Sequence, residues 1–120
     1  MPVRGVRGAV QAAANSPEAI DSATRQLLMA MVEANRIAVE QIISIFFTTT
    51  VDLNAGYPAA AARQLGWSDV PLLGAQEVEV PGSIPRVIRV LMHIDTGKPR
   101  AEIHHSYLGS TVTLRPDLHE

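Results

Sequence analysis

Cysteine is absent from the chain, which excludes disulfides, thiolate metal sites and a thiol nucleophile. Lysine is nearly absent: Lys98 is the single one among ten basic residues, the other nine being arginines. Arginine offers a rigid fork of donors suited to carboxylate or phosphate, although genome composition produces the same bias. No run approaches the roughly 20 apolar residues of a membrane span. Gly and Arg interrupt the short basic N-terminus MPVRGVRGAV, so neither an anchor nor a leader is expected. Charge is close to balanced, at −2 with an isoelectric point near 6.1, and gives no reason to expect nucleic acid or an acidic membrane as partner. No P-loop, G-x-G-x-x-G or G-x-S-x-G motif occurs, and no internal repeat. The expectation is a soluble, cytoplasmic protein with no metal and no cofactor.

What is there fits one domain over residues 1–120: 120 residues at 47% hydrophobic content suffice for one core and not for two. Val3 to Val10 reads as an opening strand, with Arg4 and Arg7, three apart, sent to opposite faces. Ser16-Pro17-Glu18 combines an N-cap, a proline for the first helical position and an acid for the first turn. Ile20, Ala23, Leu27, Met31 and Ala34 then recur at helical spacing, predicting an amphipathic helix that ends near Asn35. Ile42 to Thr50, IISIFFTTT, is β-branched and aromatic and reads as an interior strand. A short helix follows over Tyr57 to Leu65, with Gly66 just past its end. Its four alanines allow close packing, and Arg63 near its C-terminus suits the helix dipole.

Val70 to Ile94 is the most informative stretch. It reads as two apolar strands joined in a hairpin at Val80-Pro81-Gly82-Ser83, with Glu77 in the first and Arg89 among Val87, Ile88, Val90, Leu91 and Met92 in the second. Apolar residues on both faces suggest a strand covered on both faces, and an unpaired buried guanidinium costs several kcal/mol. Two readings stay open: an Arg89–Glu77 ion pair that holds the hairpin, or a cationic site preorganised for an anionic ligand. Beyond a polar turn at 95–99, a helical turn at 100–103, a short strand at 104–108 and an extended piece at 111–114 are expected. Adjacent His104 and His105 would face opposite ways in a strand, which argues against a metal site. The order β-α-β-α-β-β-β predicts an α/β or α+β sheet with helices on one face.

With no serine–histidine–acid set, the remaining polar residues look like a binding site for a small polyanion, able to do chemistry only by positioning and electrostatics. The segments VRGVRGA at 3–9, DLNAGYPAAAARQLGW at 52–67, VPLLGAQEVEVPG at 70–82, IRVLMHI at 88–94, YL at 107–108 and TLRPDL at 113–118 together resemble the AroH class of chorismate mutases. The resemblance implies a homotrimer resembling a pseudo-α/β barrel, each subunit a mixed β-sheet with helices on one face and each active site between subunits. It implies the [3,3] rearrangement of chorismate to prephenate in phenylalanine and tyrosine biosynthesis, which needs no cofactor.

Carried onto this chain, the resemblance makes Arg89, Glu77 and Arg7 the catalytic residues. Arg89 would meet the ether oxygen, Glu77 the ring hydroxyl, and Arg7 with Tyr107 a substrate carboxylate. Leu73 and Gly74 would line the pocket, Tyr57 and Arg63 would come from the neighbouring subunit, and Arg115 would sit at the mouth. Gly74 stands where the family has a cysteine, Leu73 where it has a threonine, and Ala60 where it has a lysine. Two other readings remain: an imine or enamine deaminase of the RidA type, with a similar trimer and an intersubunit arginine, and a non-catalytic sensor of an anionic metabolite.

Overall fold

A computed structural model describes residues 2–114. Strand β1 (Val3–Gln11) leads to helix α1 (Pro17–Asn35), then β2 (Ile42–Thr49), helix α2 (Ala59–Gln64), β3 (Leu72–Gln76), β4 (Val87–Asp95) and the two-residue β5 (Ser106–Tyr107). The start of α1 follows the chemistry of its sequence. Ser16 Oγ accepts from the Ala19 N–H at 3.1 Å, and Pro17 occupies a position that needs no donor.

The five strands form one mixed sheet in the order β3-β2-β4-β1-β5. β4 runs antiparallel to both β1 and β2, while β3 is parallel to β2 and β5 is parallel to β1. Side chains alternate across the sheet. Val6, Val10, Ile45, Phe47, Ile88, Val90, Met92 and Ile94 turn to one face and form a core with Ile20, Leu27, Leu28 and Met31 of α1. Gly8 permits this closeness: a Cβ there would lie 2.7 Å from Met31 Sδ and 2.9 Å from Leu27 Cδ1. On α2, Ala61 and Ala62 are fully buried, as the run of small side chains allows, and Arg25 of α1 donates to Gln64 Oε1 at 2.6 Å.

Two expectations fail. β3 and β4 are not a hairpin, because β2 lies between them and hydrogen-bonds to both. Residues 77–86 cross the end of β2; the tight turn at Val80-Pro81-Gly82-Ser83 does form, the Ser83 N–H donating to the Val80 carbonyl at 3.1 Å with Gly82 at φ +86°, but the strands it was expected to pair lie on either side of β2. The segment expected to extend over 111–114 is a 3-10 turn, Gly109–Thr113, in which the Thr111 hydroxyl donates to the Ala9 and Leu108 carbonyls.

The sheet is also not covered on both faces. Val3, Phe46, Leu73 and Leu91 belong to the face away from the helices and stay exposed within the single chain. Arg89 lies on this second face and not among the valines of the core.

Candidate active site

Strand register assembles the site. Arg89 is the Cα partner of Ala9 on one side and Thr48 on the other; Thr48 is registered with Ala75, and Ala9 with Tyr107. Ala75, Thr48, Arg89, Ala9 and Tyr107 therefore make a single row across all five strands on the uncovered face. Glu77, two residues beyond Ala75, extends the β3 ladder by donating its N–H to the Thr49 carbonyl at 2.9 Å. Arg7 lies two positions before Ala9, on the same face of β1.

Glu77 and Arg89 meet directly. Arg89 Nε lies 3.1 Å from both carboxylate oxygens, donating to Oε1, while the Thr48 hydroxyl donates to Oε2 at 2.8 Å. An arginine has five N–H donors, and among the described residues only Nε of Arg89 is engaged. Its two Nη groups have no hydrogen-bond partner among the described residues. The Arg89 side chain is 36% exposed and that of Glu77 17%. Of the two readings left open by the sequence, the Arg89–Glu77 ion pair is present: one edge of the guanidinium holds the carboxylate, and the other has no hydrogen-bond partner among the described residues.

Beside the pair is a cavity of about 510 Å³, lined in part by Thr50, Asp52, Glu77, Val87, Arg89 and Leu114. Its volume is in the range of small-molecule sites. The entry of β4 into this wall is fixed by a polar clamp. Both Asp52 oxygens accept from the Arg86 N–H, at 3.2 and 3.0 Å. The Thr50 hydroxyl donates to Asp52 Oδ1 at 2.5 Å and accepts from the Val87 N–H at 3.0 Å. Arg86 itself has φ +56° and donates through Nε to the Ala12 carbonyl at 3.0 Å. The Asp52 carboxyl is held below its ordinary range, first by the Thr50 hydroxyl, against the opposing effect of partial burial, with the Arg86 N–H and charge adding to the lowering.

The other expected residues fall in distinct places. Tyr107 is buried against Ala9, Val87, Ile84 and Leu114, and its hydroxyl has no hydrogen-bond partner among the described residues. The Arg7 N–H donates to His105 Nδ1 at 3.0 Å, which gives that histidine a structural contact at the start of β5. Tyr57, 82% exposed, and Gly74 line a second cavity of about 510 Å³, bounded also by Phe47 and the 49–56 loop. Leu73, 59% exposed, is on the uncovered face, registered with Phe46. Arg63 is exposed in the last turn of α2. Arg115 lies outside the described residues. Within one chain, Arg89, Glu77, Arg7 and Tyr107 share a face, while Tyr57, Gly74 and Arg63 stand apart from it.

Sequence reasoning missed Thr48, Thr50 and Asp52. The threonine run at 48–50 looked like strand propensity alone, and only register reveals that Thr48 stands between the acid and the arginine.

The fold defines a class: a mixed α+β sheet with helices on one side, carrying on its other face an arginine held through one edge to a fixed carboxylate. Over residues 3–118 the sequence matches chorismate mutase type I, and the chain belongs to that family. It is similar to the chorismate mutase AroH of Thermus thermophilus, at 53% identity over 117 residues, covering 97% of this chain and 96% of the relative. The chorismate mutase AroH of Bacillus subtilis (strain 168) is 40% identical over 119 residues, covering 98% and 94%. The solved structure of a chorismate mutase from Clostridium thermocellum superposes with a TM-score of 0.90 at 41% identity, covering 92% of this chain and 98% of that one.

Proposed function

We propose that the chain is an isomerase that converts chorismate to prephenate, in the cytoplasm, as a homotrimer whose active sites lie between subunits. The observation that carries the mechanism is the Arg89 guanidinium, fixed through Nε to Glu77 and open at both Nη groups beside a cavity. The rearrangement is unimolecular and needs no proton transfer or nucleophile. As its C–O bond breaks, negative charge grows on the ether oxygen while the ring fragment becomes electron-poor. A cation placed before the reaction stabilises that charge without reorganising. Arg89 Nη supplies it, next to a substrate carboxylate.

Glu77 is the counterpart. With one donor already on each oxygen, its carboxylate keeps lone-pair capacity for the ring hydroxyl, orienting the ring and complementing its loss of electron density. Arg7, one strand away from Arg89, and Tyr107, two strands away, bind a substrate carboxylate, so that the reactive chair-like conformer is held between fixed groups. Leu73 and Gly74 shape the wall, Tyr57 and Arg63 reach in from the neighbour, and Arg115 closes the mouth. The apolar, uncovered sheet face favours assembly: Phe46, Leu73 and Leu91 are the side chains a neighbouring subunit would remove from water.

Two measurements test this reading. Loss of chorismate absorbance should be catalysed by the purified chain, and light scattering should give three times the 12.9 kDa monomer mass. A folded trimer that leaves chorismate unchanged would overturn the assignment of the reaction.

A further inference from the structure

We propose that Thr48 is a positioning residue for this reaction: its hydroxyl keeps the Arg89–Glu77 pair one-pronged, so that both Nη groups of Arg89 stay available to the substrate. The proposal rests on the reading of Glu77 and Arg89 as substrate-contacting residues. A carboxylate can only accept, so the proton in the 2.8 Å contact between Thr48 Oγ1 and Glu77 Oε2 belongs to the threonine. Arg89 Nε donates to the other oxygen, Oε1. Nε lies 3.1 Å from both oxygens, so Oε2 faces the threonine and the arginine while Oε1 faces the arginine alone, and the carboxylate is held by two donors from two neighbouring strands.

An arginine and a carboxylate left to themselves favour the two-pronged arrangement, with two parallel N–H···O bonds. In this site that arrangement would turn an Nη group away from the ligand and into the ion pair. It would also occupy the lone pairs that Glu77 has left for a hydroxyl. Thr48 is suited to oppose it. As the Cα partner of both Arg89 and Ala75, it stands beside the arginine and two residues from the register of Glu77. It touches neither reacting atom. Its effect passes through Glu77 and Arg89, so its loss should lower the rate of the chemical step more than substrate affinity.

The test uses the full chain and chorismate. Thr48→Val keeps shape and strand propensity and removes the hydroxyl; Thr48→Ser keeps the hydroxyl and removes the methyl. The expected result is a kcat about tenfold lower for Thr48→Val, the scale of a lost hydrogen bond to a charged group. KM should stay within about twofold, and Thr48→Ser should return to within about twofold of the parent. If Thr48→Val does not fold, Thr48→Ala against Thr48→Ser carries the same contrast. A valine variant as fast as the parent overturns the proposal, as does a serine variant as slow as the valine one. An active parent with an unaffected Thr48→Val defeats this inference alone, whereas an inactive parent defeats the proposed function and this inference with it.

Discussion

Arg89 and Tyr107 are registered against the same residue, Ala9, from opposite sides of β1. Two ladder steps separate them, about 10 Å between their backbones, and the residue between has no side chain beyond Cβ. Ala9 is fully buried, with Tyr107, Val87, Ile84 and Leu114 packed against it, so its small side chain is what lets Tyr107 settle onto the sheet. Replacing it by valine should displace Tyr107 at an overpacking cost of about 1–3 kcal/mol. We expect Ala9→Val to remain folded by circular dichroism and to lose at least about tenfold in kcat/KM. Full activity would mean that the seating of Tyr107 on Ala9 does not matter to the reaction.

Arg89 should act on the transition state. Arg89→Ala is expected to cut kcat by about 10³, in line with removing a preorganised donor from developing negative charge, with a much smaller effect on the affinity for substrate. Equal losses in rate and binding would point to a ligand-holding role only. Arg89→Lys should recover little, because an ammonium cannot hold Glu77 at one edge and face a ligand with another.

Completion of one subunit's site by another can be tested by mixing. If the proposed trimer shares its sites, Arg63→Ala and Arg89→Ala proteins, each inactive alone, should regain part of the activity when their subunits exchange. No recovery despite demonstrated exchange would show that Arg63 does not serve a neighbour's site.

Asp52 links the clamp at the start of β4 to acid stability. Its carboxyl titrates lower in the folded chain than in the unfolded one, where the ordinary value is about 3.9. The resulting stabilisation is fully present above that value and is lost as pH falls through the lower folded one. Thermal midpoints followed against pH should show Asp52→Asn below the parent near neutrality, the gap narrowing as acid is added. A gap that stays constant down to the acid range would show that the charge does not contribute.

Gly8 should be hard to replace. A Cβ would sit 2.7 Å from Met31 Sδ and 3.2 Å from the Ser106 carbonyl oxygen, so α1 or β5 must shift. Gly8→Ala is expected to cost about 1–3 kcal/mol in urea unfolding. An unchanged midpoint would mean that Met31 repacks without strain.

Much of this was legible in the sequence, for identifiable reasons. β1, α1, β2 and α2 announce themselves through local chemistry: the Ser16 cap, the helical spacing from Ile20 to Met31, the β-branched run from Ile42, and the alanines before Gly66. The pairing of β3 was not legible. Chain proximity suggests a hairpin with β4, and nothing local to residues 70–94 reveals that β2 enters between them. The apolar neighbours of Arg89 on both faces separately suggested a covered strand. In the sheet, Ile88 and Val90 face the helices while Arg89 faces outward with Thr48 and Glu77. Arg89 and Glu77 were visible as charges out of place among apolar neighbours. Thr48 and Asp52 were not, because threonines suit any strand, an aspartate suits any turn, and their work depends on partners 29 and 34 residues away.

The insertion of β2 between β3 and β4 also governs the order in which the site can come into being. A local β3–β4 hairpin would be the quickest pairing to form, since its loop is short, yet it would shut β2 out of the sheet and leave Thr48 without either neighbour. Only a chain with β2 seated between β3 and β4 brings acid, hydroxyl and arginine together. The reactive arrangement is therefore a certificate of correct folding: a misassembled chain does not carry a weakened version of it but lacks it altogether.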